Sequence, residues 1–379
     1  MEENNKKNNK GLQLVIAIGI IILIVVVAID VVLNYVPLKD IFSKTVNYTT
    51  SKEVTVTDKG IADAVDKLYN ATVIVEVGNK GKLTGWGSGF VYKVEGDYAY
   101  IFTNHHVVDD ASEIVIVFSN ETEVDGTLVG SDEYADVAVV KVPKDKILAV
   151  AEIGSSNDIK VGDTIFAIGT PVSLEYSFTV TRGILSGKDR MVEISSTQNS
   201  NSFFQSSYVD TWYMKLLQID ASINSGNSGG PLANSNGEVI GITNSKLSSS
   251  YSSTSIENMG FAIPIEDALS VAEKLIEKGK IERPVLGVSM TTIENASKSD
   301  IKIDEDIEYG AVVVEVQSGS NASKAGLKSG DIITKIDDNK VKDYMYLKYY
   351  LYRYSVGDKV TLTYIRDGKE KTVDVTLKG

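Results

Sequence analysis

The chain has 379 residues, 43% hydrophobic and 23% charged, with 51 acidic against 38 basic side chains and a net charge of −13. An acidic surplus of that size argues against nucleic acid or anionic lipid surfaces as partners, because both are held by clustered Lys and Arg. Cysteine is absent, which excludes disulfides, thiolate zinc sites and cysteine nucleophiles.

Lys6, Lys7 and Lys10 precede an apolar run from Leu12 to Leu33 that is broken by Gln13 and, late, by Asp30. About 20 apolar residues span a bilayer as a helix and exceed the core of a signal peptide, so 12–33 is expected to be a transmembrane anchor. The lysines put residues 1–11 in the cytoplasm and the rest of the chain outside. Cleavage after the run is the competing reading, and the lack of a clean small-x-small site there weighs against it. Residues 34–57, rich in Thr, Ser, Val and Lys without periodicity, read as a stalk.

Asp58 to Asn70 carries Ile61, Ala64, Val65 and Leu68 at helical spacing, with Asp58 as a possible N-cap. Beyond it, short β-branched and aromatic runs predict strands at Thr72–Val77, Gly89–Val94, Tyr98–Thr103, Glu113–Phe118 and Val137–Val142. Further strands are expected at Thr164–Ile168, Thr179–Leu185, Leu216–Ile219 and Val239–Thr243. With no long helices between them, they predict an antiparallel barrel or sandwich. Two polar stretches, 193–210 and 245–258, read as long loops.

An amphipathic helix over Ile265–Lys278, stopped by Gly279, marks a domain boundary. The remainder is long enough for an independent domain. It is expected to hold strands near Val285–Val288, Ala311–Val316, Asp331–Ile336, Lys359–Ile365 and Thr372–Leu377, and a helix near Tyr344–Tyr354. Tyr344, Tyr346, Tyr349, Tyr350, Tyr352 and Tyr354 cover more than one face of that helix, so they cannot all be core. Lining a peptide groove and contacting another subunit are the two uses open to them.

Two histidines are all the chain has, His105 and His106, side by side. Imidazole is the usual proton carrier near neutral pH, so an acid/base enzyme built from this sequence takes its base from that pair. The string Gly226-Asn-Ser-Gly-Gly-Pro231 permits a turn tight enough to aim two amides, those of Gly226 and Ser228, at one point while exposing the seryl oxygen. A serine nucleophile needs a base and a group that orients the base. Asp136, immediately before an apolar strand, is the candidate for the latter. Each feature has a plainer reading, as strand-end histidines, a surface turn and a strand-capping carboxylate; their joint occurrence in the order His, Asp, Ser favours the chemical one.

Together with Gly87-Ser-Gly-Phe90, Thr103-Asn-His-His-Val-Val108, Ala135-Asp-Val-Ala-Val139, Val180-Thr-Arg-Gly-Ile184, Gln218-Ile-Asp-Ala221 and Gly260-Phe-Ala-Ile-Pro264, these residues make the chain resemble the HtrA/Deg family of serine proteases. The resemblance implies a mainly β fold, a chymotrypsin-like double β-barrel over 58–280 followed by a PDZ domain over 281–379. The family's histidine stands three residues after the Thr and directly before Val, which selects His106 over His105. By the same matching, His106, Asp136 and Ser228 are the catalytic residues, and Gly226, Asn227 and Ser228 form the oxyanion-hole loop.

Ser222 occupies the place, six residues before the serine, where trypsin-like enzymes keep an acid; with Gly260, Phe261 and Ala262 it is the expected substrate-binding set. Preference for Lys or Arg is therefore not expected, and the resemblance implies small or medium aliphatic residues before the cut. Val285, Leu286, Gly287 and Val288 are the expected PDZ peptide-binding loop, where backbone amides receive a terminal carboxylate. Neither cofactor nor metal is implied. Unfolded or misfolded polypeptides, peptide C-termini and, through the anchor, the membrane of a bacterial cell surface are the implied partners, with a homotrimer as the implied assembly and quality control as the role. A proteolytically inactive peptide-binding or chaperone protein acting through its PDZ domain is the rival, and retention of all three candidate residues argues against it. Phosphate or nucleotide binding by the glycine-rich stretches lacks the P-loop spacing.

Overall fold

The computed structural model describes residues 17–27, 58–198, 208–245 and 258–379. Residues 17–27 are helical, and Ile18 and Ile20 to Val27 turn their apolar side chains to the surroundings. Among the described residues no helix is long and apolar enough to cross a membrane. The rest of the expected anchor, residues 1–11 and the 34–57 stalk lie outside the described residues.

Helix α1 (Asp58–Tyr69) buries Ile61, Ala64 and Leu68, as its sequence spacing predicts. Seven strands follow, β1 (Thr72–Asn79), β2 (Lys82–Glu95), β3 (Tyr98–Thr103), β4 (Glu113–Phe118), β5 (Glu123–Asp125), β6 (Thr127–Asp132) and β7 (Val137–Pro143), with the one-turn helix α2 (His105–Val108) after β3. They form one sheet in the order β5-β4-β1-β2-β3-β7-β6. Its two edge strands are consecutive in the chain, joined through Gly126, so the sheet curls back on itself and the covalent chain closes it where no ladder does. A side chain at Gly126 would point into the filling of this curl, its Cβ 2.8 Å from Val140 Cγ1. Val73, Val75, Val91, Ile101, Ile116, Phe118 and Val140 form that filling.

The second half closes fully. Strands β8 (Thr164–Gly169), β9 (Thr179–Gln198), β10 (Tyr208–Ile219), β11 (Pro231–Asn234), β12 (Val239–Asn244) and β13 (Gly260–Pro264) make a barrel in the order β10-β13-β12-β11-β8-β9. Ile165, Leu185, Leu217, Ile219, Leu232 and Ile240 fill it. The largest cluster lies between the two halves, where Phe90 and Phe102 of the first meet Phe166, Ile168, Trp212 and Leu216 of the second. Each half thus has a core of its own and a face buried against the other.

Part of the polar stretch 193–210 is not loop: β9 runs on to Gln198 and pairs with β10 from Tyr208, Tyr208 opposite Gln198 and Thr211 opposite Ser195. Ser and Thr tolerate the extended backbone, and the ladder satisfies their amides, so the lack of apolar alternation hides a strand pair that projects past the barrel. Helix α3 (Ile265–Lys278) ends at Gly279, whose φ of 73° closes the C-cap through a 2.8 Å bond to the Leu275 carbonyl.

The C-terminal sheet contains β14 (Val288–Thr291), β15 (Ala311–Val316), β16 (Ile332–Ile336), β17 (Asn339–Lys340), β18 (Lys359–Arg366) and β19 (Lys369–Thr376), ordered β14-β15-β16-β18-β19 with β17 beside β16. The expected strand at Val285–Val288 begins three residues late: Val285 makes a lone bridge to Lys378, and regular pairing starts at Val288. Gly287, at φ 78°, is the cause, because left-handed backbone cannot continue a strand. The short helix α4 (Asn321–Lys324) packs near β19, and α5 (Tyr344–Leu351) starts at an Asp343 cap that accepts from the N–H groups of Met345 and Tyr346.

Three of the tyrosines on and beside α5 make contacts that neither expected use includes. Tyr344 meets Tyr213 of β10 edge to face at 5.9 Å, the Tyr349 hydroxyl donates to Asp267 of α3 at 2.7 Å, and Tyr352 meets Tyr134 at 5.1 Å. They dock the C-terminal sheet domain onto the barrels of the same chain. Burial, then the Asp267 carboxylate, pushes the Tyr349 hydroxyl well above its ordinary value and keeps it a donor.

Candidate active site

Ser228 and its loop sit where the two halves meet, and the first half stitches the loop in place. The Ser88 N–H donates to the Ser228 carbonyl at 2.8 Å, while Ser88 Oγ donates to the Gly226 carbonyl at 2.8 Å and accepts from the Thr170 N–H at 3.0 Å. Thr243 of β12 holds the other side, its Oγ donating to the carbonyls of Asn227 at 2.6 Å and Gly230 at 3.0 Å. Gly229, at φ 87°, approaches Ser88 so closely that a Cβ would fall 2.2 Å from its carbonyl oxygen. That close approach is why glycine follows the serine.

Asp136 ends the turn before β7 with φ 50°, and it is 8% exposed. Its Oδ1 accepts from the His106 N–H at 3.0 Å; its Oδ2 lies 2.7 Å from His106 Nδ1 and accepts from Asn244 Nδ2 at 2.6 Å. Asn104 Nδ2 donates to the Asp136 carbonyl at 2.7 Å. Convergent donors fix the carboxylate in both position and rotation. A carboxylate acceptor at Nδ1 puts the ring proton there and leaves Nε2 with its lone pair. His105 turns elsewhere, its Nδ1 3.0 Å from Ser131 Oγ.

The nucleophile candidate is differently engaged. Ser228 Oγ lies 2.6 Å from Ser245 Oγ and accepts from the Ser245 N–H at 3.1 Å. Among the described residues, no hydrogen bond joins it to the His106 ring. The N–H groups of Gly226 and Ser228 have no acceptor among the described residues, whereas the Asn227 N–H is turned inward to the Asn224 carbonyl at 3.0 Å. Gly226, at φ 98°, is pressed on Thr170, whose carbonyl oxygen would lie 2.1 Å from a Cβ.

Of the expected substrate-binding residues, Ser222 is exposed and its carbonyl lies 3.5 Å from Asn227 Nδ2. Gly260 is buried, and a Cβ there would lie 3.0 Å from Ile219 and Ile223 and 3.2 Å from the Ala221 carbonyl oxygen, so this strand leaves no room for a side chain. The Phe261 ring is packed in the core between the two halves, and Ala262 faces the barrel interior. In the C-terminal domain a cleft of about 500 Å³ lies between β14 and α5, lined by Val285, Leu286, Gly287 and Val288 on one side and Lys348, Leu351 and Tyr352 on the other. β14 is an edge strand, and the N–H groups of Leu286 and Gly287 have no acceptor among the described residues. An extended peptide can add to that edge.

Asn104, Asn244 and Ser245 are not among the residues that the sequence points to as functional, and Ser88, inside Gly87-Ser-Gly-Phe90, has no role that the sequence alone assigns. The signal for Ser88 and Asn104 is their place inside motifs, and that for Ser245 is its place at the head of the polar stretch 245–258, whose residues 246–257 lie outside the described ones; Asn244 carries none beyond ending a strand. Among the described residues no cluster of His, Cys, Asp and Glu has the arrangement of a metal site.

A trypsin-like peptidase domain matches residues 87–242, and a PDZ domain matches 284–377. The serine protease Do-like HtrA of Lactococcus lactis subsp. lactis (strain IL1403) is 40% identical over 300 residues, covering 78% of this chain and 71% of that protein. This chain belongs to the HtrA serine proteases. The serine protease Do-like HtrA of Bacillus subtilis (strain 168) is 39% identical over 300 residues, covering 78% of this chain and 64% of that protein. Among solved structures, an HtrA-type protease AlgW with tripeptide superposes with a TM-score of 0.66 at 29% identity, over 84% of this chain and 96% of that one. As an HtrA protease the chain is a serine endopeptidase with a mainly β chymotrypsin-like fold and one PDZ domain, and it binds peptide or protein substrates. The reading as a peptide-binding protein without proteolytic activity gives way to this.

Proposed function

We propose that this HtrA protease cleaves unfolded or damaged polypeptides at the outer face of a bacterial membrane, through Ser228, His106 and Asp136. The His106–Asp136 pair at 2.7 Å carries the reading, because it leaves Nε2 able to accept the seryl proton. Attack requires Ser228 Oγ to leave Ser245 for His106 Nε2, and a change of χ1 rotamer is the step that would make the exchange. Oγ then attacks the scissile carbonyl as its proton passes to Nε2, and the resulting oxyanion is received by the N–H groups of Gly226 and Ser228. Collapse sends the proton from Nε2 to the leaving amine. Water, deprotonated by the same nitrogen, hydrolyses the acyl-enzyme and restores Ser228.

Ser222, a neutral and exposed residue six positions before Ser228, supports an uncharged side chain before the cut, and a small or medium aliphatic one is the proposed preference. The division into a protease domain at 58–280 and a PDZ domain at 281–379, with peptide C-termini received at Val285–Val288, is part of the same reading. So are the homotrimer and the anchor at 12–33, which the apolar run and the preceding lysines support.

The test compares digestion of unfolded casein by the full-length chain and by Ser228→Ala, His106→Ala and His105→Ala. The first two variants are expected to lose cleavage and the third to keep it. Cleavage that survives Ser228→Ala overturns the mechanism; loss with His105→Ala but not His106→Ala shifts the base by one residue.

A further inference from the structure

Arg283 lies in the segment between α3 and β14, its side chain 12% exposed. Its Nη2 pairs with Asp132 Oδ2, and its Nη1 donates to the Tyr352 carbonyl. The guanidinium lies over the rings of Tyr134 at 5.6 Å and Tyr352 at 5.8 Å. Nε is buried without a partner among the described residues, so the two Nη contacts and the flanking rings orient the group.

Both contacts are placed to matter. Asp132 is 5% exposed, and the oxygen that takes Arg283 also accepts from the Ala135 N–H at 2.8 Å. That bond closes the turn whose last residue is Asp136, held in left-handed backbone with its N–H on the Glu133 carbonyl at 3.2 Å. A buried carboxylate stripped of its cation is strongly disfavoured, so loss of Arg283 disturbs this turn before any other element. Tyr352 caps the C-terminus of α5, where carbonyls are unpaired and a cation is favoured. With Leu351 and Lys348 it also forms one wall of the peptide cleft.

We infer that Arg283 is a positioning residue for proteolysis: held by the Tyr352 carbonyl and the flanking rings, it sets through Asp132 the turn that presents Asp136 to His106. This rests on the roles proposed above for Asp136 and His106. Methionine at 283 keeps the apolar stem and loses both contacts. Lysine keeps a cation for Asp132 but cannot fork to a second acceptor in the same geometry.

The experiment uses the full-length chain with Arg283→Met, Arg283→Lys and Asp132→Asn, and two readouts. In the first, Arg283→Met is expected to lower kcat for a fluorogenic decapeptide ~10-fold with KM within ~2-fold, since misplacing a catalytic group from a distance costs rate and not binding. Arg283→Lys recovers most of the loss. In the second, the Nδ1 proton resonance of His106 is followed by NMR in a Ser228→Ala background; Arg283→Met and Asp132→Asn displace it. An unchanged kcat with an unchanged resonance overturns the inference, as does an equal loss in the Lys and Met variants. Wild-type chain that cleaves nothing sinks the proposed function instead, and the resonance, read in the Ser228→Ala protein, still decides the role of Arg283.

Discussion

Asn244 donates its side-chain amide to Asp136 Oδ2 at 2.6 Å, the oxygen that also faces His106 Nδ1. The second half of the fold thereby holds a carboxylate supplied by the first. Hydrogen bonds to charged groups are worth about 1.5–3 kcal/mol, so Asn244→Ala is expected to lower kcat for peptide hydrolysis by ~10–100-fold. Asn244→Asp, which sets a second carboxylate against Asp136, loses more. Wild-type kcat in Asn244→Ala would show that His106 alone orients the acid.

Ser245 occupies Ser228 Oγ with its own hydroxyl and N–H. An oxygen that accepts from an amide has one lone pair fewer for attack. Removing the hydroxyl in Ser245→Ala takes away one neutral hydrogen bond, so the acylation of Ser228 by a fluorophosphonate is expected to accelerate ~2–10-fold. Slower acylation would mean that Ser245 assists the reaction.

Gly226→Ala places a methyl group 2.1 Å from the Thr170 carbonyl oxygen, on backbone that side chains rarely adopt. The loop must shift, and one of its two free amides leaves the point where the oxyanion develops. A fall in kcat of ~10²–10³ is expected, the usual cost of one lost donor, with little change in the circular dichroism of the fold.

Glu266, in the first turn of α3, is subject to burial, which raises its pKa. Hydrogen bonds from Ser156 and Ser155 outweigh that, and the net effect holds the carboxyl below its ordinary value of 4.5. A pKa lowered by folding stabilises the protein fully above the ordinary value, and the contribution disappears as pH falls through the folded one. Glu266→Gln is therefore expected to lower Tm at neutral pH, and the gap to wild type closes as pH drops below 4.5. A gap independent of pH would assign the effect to packing.

The β class is legible in the chain because buried strands need β-branched and aromatic runs, and the turns between them are written in Gly, Asn and Asp. The register of the β9–β10 pair past Glu193 is not: Ser and Thr there are held by a neighbouring strand, and pairing of that kind leaves no periodic trace. The α5 tyrosines show that too many aromatic positions imply contact, but the partner surface, β10 and α3, depends on how two domains dock. At the site, the order His, Asp, Ser and the Gly226–Pro231 turn single out residues that the structure holds near the junction. Asn244 and Ser245 are commonplace residue types whose importance comes from distance in space, and Ser88, though inside a motif, takes its role from its contacts with Gly226 and Thr170.

The two separately cored barrels also set when this site can exist. His106 and Asp136 belong to the first barrel and Ser228 to the second, while the closing strand of the second, β13, lies beyond all of them at Gly260–Pro264. A chain emerging from the ribosome can complete its first barrel and still lack the loop, its Thr243 brace and the Asn244 support. The order of synthesis therefore sets a threshold: a partial product that stops short of β13 has its first barrel but not the assembled site, which waits for the second barrel to close.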